Sequence, residues 1–322
     1  MPFILRVAPL IAFAAIHDLA QAQSWPTRAV RVIAPFAAGG TADLLGRITA
    51  GKLSESLGQS FIVENRPGAG GVLGSELVTR SAPDGYTLLV SGVASHAVAP
   101  ALSVKFPFDP LKDFSHIALF GGPPSVLAVH PSLPVRDVKS FIAFAKAKPR
   151  ELTYGSPGNG TQGHLIAELF QRSAKFDMQH VPYRGASGAV LDVVAGHTHA
   201  ISTTLTTASA QIRAGQLRAL AISSAARLLE YAAVPTYREA GFPDLVATIW
   251  FSLSGPAGLP ADIVNRLNSE VRRALQQPDV LSRLRPDGIE PGNLDPKAFT
   301  EFVAAEVKRW APVVKASGAK SD

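Results

Sequence analysis

No cysteine occurs among the 322 residues of the chain. That excludes thiolate nucleophiles, disulfide staples and thiolate metal sites together. Charge is also sparse, Asp, Glu, Lys and Arg making up 17% of the residues, unlike a disordered chain or a coiled coil. No apolar run in the mature chain approaches the ~18 residues that a membrane-spanning helix needs. The formal net charge is +6, but Arg28, Arg47, Lys52, Arg66 and Arg80 are scattered. A nucleic-acid partner is not expected, because it calls for a clustered basic stripe with stacking aromatics. There is no H-E-x-x-H and no G-x-S-x-G elbow, which removes the commonest zinc-protease and α/β-hydrolase signatures.

Hydrophobic residues are plentiful, at 47%, and the length exceeds what one core fills comfortably, so two lobes are expected. The first residues belong to neither. Arg6, the apolar run Val7 to Ile16 and Ala20-Gln21-Ala22 have the layout of a secretory signal,. We expect residues 1–22 to be removed after Ala22 and the mature chain to be exported to the periplasm.

Apolar strand patterns then alternate with helical ones, the mark of α/β layers with parallel strands. Strands are predicted over Arg31–Pro35, Ser60–Glu64, Thr87–Ser91, Ile117–Gly121, Ser125–Val129, Met178–Val181, Ala200–Thr203 and Leu217–Ile222. Helices are predicted over Thr41–Leu57, Gly71–Thr79, Val138–Lys148, Gln162–Arg172, Ser187–Ala195, Ala208–Ala214, Pro260–Gln276 and Lys297–Val313. Gly and Pro interrupt apolar stretches near 119–124 and 247–255, the predicted hinge crossings. One lobe then comprises 23–122 plus 250–322, and the inserted lobe 123–249. Each is expected to be a mixed, mostly parallel sheet flanked by helices.

Two segments share one plan: strand, glycine-rich loop with small hydroxyls, helix. The first carries Phe36, Ala38, Gly39, Gly40, Thr41 and Asp43; the second carries Ser156, Gly158, Asn159, Gly160, Thr161, Gln162 and His164. Each sets bare backbone N–H groups at the positive end of a helix, a receptor for a carboxylate or phosphate. Tyr183, Arg184 and Gly185 follow a later strand and open another helix, and Ser91 ends the Thr87 strand; all four are further candidates for ligand contact. By contrast, Gly68-Ala69-Gly70-Gly71-Val72-Leu73-Gly74 imitates a dinucleotide fingerprint, but its third glycine would fall on Leu73,. We read it as tight packing and expect no cofactor. His197 and His199 stand two apart without a third ligand at useful spacing, so no metal site is expected,.

Several of these segments together resemble the Bug-type receptors of tripartite tricarboxylate transporters. The carriers are Pro35 to Asp43, Val63 to Gly71, Ala82 to Leu88, Tyr154 to Thr161, Val181 to Gly185, Val234 to Thr236 and Trp250 to Pro260. The resemblance implies a two-lobed periplasmic binding fold of type II, closing on a small organic acid for delivery to membrane permease subunits. It implies ligand contact through the loops at Phe36 to Asp43 and Ser156 to His164, no catalysis, and a monomer. Two departures leave the ligand open: Gly196-His197-Thr198-His199-Ala200 stands where relatives often read Gly-Gln-Val-Asp, and Arg184 replaces the lysine of Pro-Tyr-Lys-Gly. Two rivals remain: a secreted hydrolase using Ser156 or Ser91 with His164 or His96, and a signalling subunit that presents its liganded form to a sensor.

Overall fold

Val30–Ala34 (β1) is buried at four of its five positions and forms the spine of a first sheet. From it the chain runs through Thr41–Leu57 (α1), Phe61–Asn65 (β2), Val72–Thr79 (α2), Thr87–Gly92 (β3), Ala99–Leu102 (α3) and Phe114–Gly121 (β4). The computed structural model describes residues 25–102 and 106–317; the signal segment and its cleavage point after Ala22 lie outside them.

After β4 the chain leaves for a second sheet. Ser125–Val129 (β5), Val138–Ala147 (α4), Thr153–Ser156 (β6), Gln162–Ala174 (α5), Gln179–Pro182 (β7), Ala186–Val194 (α6), Ala200–Thr204 (β8), Leu205–Arg213 (α7) and Arg218–Ile222 (β9) build it. It then returns as Phe251–Pro256 (β10), Ala261–Leu275 (α8), Pro278–Leu284 (α9) and Pro296–Ser317 (α10). The sheet orders are β2-β1-β3-β10-β4 and β7-β6-β8-β5-β9. These are two mixed sheets flanked by helices, the fold class expected.

Parallel pairing does not dominate, however. β10 runs against both β3 and β4, and β5 against both β8 and β9. Each of these strands enters its sheet directly after a crossing from the other one, where no βαβ connection imposes parallel alignment. All five residues of β5 are buried, so it reads as a continuous apolar run. The late helices read more clearly: α8 buries Ile263, Leu267, Val271 and Leu275 at a four-residue spacing,. Several elements departed from the pattern, α7 and α9 among them. α7 begins at Leu205, not Ala208, because Thr206 and Thr207 mask a helix start with β-branched residues,. α9 has seven residues with Pro278 at its start, too short to display a period,.

The crossings run side by side. Ile249 N–H donates to the Pro123 carbonyl at 3.0 Å, and Pro124 bridges Thr248. A Cβ on Gly122 would overlap the Ile249 carbonyl. α10 is tied to the return crossing by Glu306, whose Oε2 accepts from the indoles of Trp250 and Trp310, both at 2.9 Å. Asp287, just after α9, reaches the second sheet's helices, accepting from Ser209, Arg213 and Tyr231 at 3.1–3.2 Å.

Behind β3 lies a buried histidine pair. His96 and His116 are 1% and 4% exposed, with ring centres 5.9 Å apart, and the Nε2 of each lacks a protein partner. Burial lowers His116 to about 4; burial and the neighbouring His116 push His96 well down too. Unfolded, both would take up protons near 6.5 that the folded chain refuses. Their contribution is therefore complete above about 6.5 and lost as pH falls towards about 4. We expect urea melts to lose on the order of 3 kcal/mol across that window from His116 alone, with His96 adding to the loss,. Stability independent of pH there would contradict the assignment.

Candidate functional site

The first loop is shaped by Asp43. Gly39, at φ +80°, donates its N–H to Asp43 Oδ2 at 3.0 Å. Asn65 and Arg47 engage Oδ1, each at 3.0 Å. Burial raises the Asp43 carboxyl, but Arg47, the Gly39 amide and Asn65 together hold it below the usual range. Its charge is thus committed to the turn. Gly40 then caps α1 with backbone only: no side chain accepts from the first amides of this 17-residue helix. Such amides have no intrahelical partner.

Gly40, Thr41 and Ala42 open onto a hollow of about 50 Å³, room for a few water-sized groups. From the second sheet, Thr161, Gln162 and Gly163 at the start of α5 line the same hollow. So do Ala186, the first residue of α6, and Thr204, the residue before α7. Four helix starts therefore converge, and those of α1, α6 and α7 carry no side-chain cap. Among the described residues no ionisable side chain lines the hollow. Its net field is that of converging positive helix ends. Phe36, Val93, Ile249 and Phe251 supply an apolar flank.

The two sheets are joined across this hollow. Thr41 Oγ1 lies 2.7 Å from Thr204 Oγ1 and 3.1 Å from Thr207 Oγ1. Ala37 N–H donates to the Arg184 carbonyl at 3.2 Å, and Ser187 Oγ donates to the Ala38 carbonyl at 2.9 Å. A Cβ on Gly70 would come within 2.6 Å of the Asn159 carbonyl. Without a side chain at Gly70 the backbones can meet.

Of the residues expected from the sequence, Phe36, Gly40, Thr41, Thr161 and Gln162 lie on the wall. The remainder sit behind it. Ala38, Gly39, Arg184 and Gly185 belong to the contact between loops, Gly185 packing on Ala37. Ser91 is tied to Ser252 and Ser254, each at 2.7 Å. Tyr183 donates to Asp192 at 2.5 Å. Gly158 accepts the Thr161 hydroxyl at 2.7 Å, so that hydroxyl shapes the loop as well as the wall. Gly160 faces Leu102, and its amide donates to His164 Nδ1 at 3.3 Å. Sequence reasoning missed Ala186, Thr204, Ile249 and Phe251 on the wall, whereas Ser95 lies in the stretch after the Thr87 strand, a weaker cleft candidate from the sequence. Thr204 could have been found, since Thr203-Thr204 ends a strand just as Thr41 follows one.

Ser156 is fully buried off the wall and pairs with His180, not His164, at 2.6 Å. His180 is stacked against Tyr154 and His164, with ring centres 4.8 and 4.1 Å away. Burial, with His164 beside it, lowers His180 to about 3. That is far from the poise of a general base at neutral pH.

A model of the tripartite tricarboxylate transporter family receptors matches residues 45–319. The chain belongs to that family. This receptor is 38% identical to Protein BugT of Bordetella pertussis over 311 residues, covering 96% of this chain and 95% of that protein. A solved periplasmic transporter superposes with a TM-score of 0.90 at 38% identity, over 93% of this chain and 100% of that one. A Rhodopseudomonas palustris protein solved with adipate gives 0.89 at 36%, covering 92% and 99%. MatC from the same organism, with bound malate, gives 0.86 at 33%, covering 90% and 100%. Family and neighbours alike are solute-binding receptors, and among the described residues no helix is long and apolar enough to cross a membrane.

Proposed function

We propose that this receptor captures a small organic carboxylate between its lobes and presents it to the membrane permease subunits of a tripartite transporter. One observation carries the reading: four helix starts from both sheets meet at a hollow without an ionisable side chain. Neutral donors hold an anion there without the cost of desolvating a fixed charge. The likeness to proteins solved with adipate and malate supports the same ligand class.

In this reading the lobes are 23–122 plus 250–322 and 123–249, hinged near 119–124 and 247–255. Closure joins Thr41 to Thr204 and buries the acid, with no reaction catalysed. The chain acts as a periplasmic monomer, exported and cleaved after Ala22. Phe36, Gly40, Thr41, Thr161 and Gln162 contact the ligand, with Ser95, Ala186 and Thr204 beside them. A thermal-shift screen of carboxylates tests it. An acid at ~100-fold over its Kd adds ~2.7 kcal/mol; silence across mono-, di- and tricarboxylates would contradict it.

A further inference from the structure

One buried acceptor on the wall has nothing to accept. Gln162 opens α5, is 2% exposed and lines the hollow. Its Nε2 donates to the Thr248 carbonyl at 3.4 Å. That contact sets the amide's orientation, since the reverse would oppose two acceptors. Oε1 is then enclosed with no protein donor. An enclosed carbonyl oxygen without a partner carries a desolvation penalty that a matching donor removes. An ionised carboxylate cannot be that donor, because it only accepts.

We propose that the occupant carries, besides its carboxylate, a neutral O–H or N–H donor that meets Gln162 Oε1: a hydroxy acid or a carboxamide-bearing acid. This rests on the carboxylate reading given above. An ammonium group fits poorly, because the helix ends present positive potential. Asp43, the acidic residue of the first turn of α1, is held off the wall by Gly39, Asn65 and Arg47. Phe36, Ile249 and Phe251 accommodate the carbon skeleton,.

The test is calorimetric titration of the mature chain with matched acids. One set is butyrate, 3-hydroxybutyrate, succinamate and 3-aminobutyrate; another is phenylacetate, mandelate and phenylglycine. The hydroxy or carboxamide acid of a set is expected to bind at least about tenfold tighter than its parent, and the hydroxy acid tighter than its amino counterpart. Which of the two leads identifies the donor as O–H or N–H. In Gln162→Met that preference should shrink to about twofold or less. Equal binding of parent and donor-bearing acids, an amino acid bound tightest, or a preference that survives Gln162→Met would overturn the proposal. The wild-type contrasts decide even if the variant folds badly. Failure of every acid, including succinate and citrate, overturns the carboxylate reading itself, and this inference with it.

Discussion

Ala42→Asp is expected to abolish ligand binding, by at least about 100-fold. Ala42 is the second residue of α1, 3% exposed and on the wall. A carboxylate there would occupy the field meant for the ligand. At ~4 Å and an effective dielectric of ~20, two like charges repel by about 4 kcal/mol. The same charge satisfies an uncapped helix start, worth about 0.3–1 kcal/mol. Ala42→Asn, of similar size and neutral, separates charge from bulk. Titration with the best acid from the screen would read both variants. Equal affinity in the two would show that helix-end electrostatics do not govern capture.

Gly122→Ala should be the most damaging added methyl among the described glycines, costing at least about 3 kcal/mol,. The new Cβ would overlap the Ile249 carbonyl and stand 3.0 Å from Trp250 Cα. Both obstacles are backbone, and both belong to the return crossing, so relief requires the two crossings to part. Gly51→Ala is the counterpart. Gly51 lies inside α1 with nothing within 4 Å of its Cβ position, so the change should stabilise by about 0.5–1 kcal/mol. Urea denaturation measures both. A wild-type midpoint for Gly122→Ala would mean that the crossings are not packed as described.

Much of this was legible from local pattern. The loops at Gly39-Gly40 and Gly158 to Thr161 announced themselves because a chain rarely places so many glycines and hydroxyls between strand and helix without a purpose. Their convergence was legible only through the guess of two lobes. What stayed hidden was whatever depends on packing between distant segments. Ala186 looks inert in sequence, and becomes part of the site only because α6 starts at the wall. Ile249 and Phe251 read as hinge or core, and they line the wall. Asp43 was legible as a first-turn acid, but whether its charge serves ligand or loop depends on Gly39, Asn65 and Arg47 folding around it. The reversal of β5 and β10 was invisible, because strand direction follows from where the chain crosses, not from local composition.

The most direct test is a crystal structure of the mature chain with the acid giving the largest thermal shift. Its carboxylate oxygens should lie within about 3.2 Å of amides from both Gly40–Ala42 and Gln162–Gly163, with no cationic side chain in contact. An anion held by one lobe alone, or gripped by an arginine outside this hollow, would contradict the account.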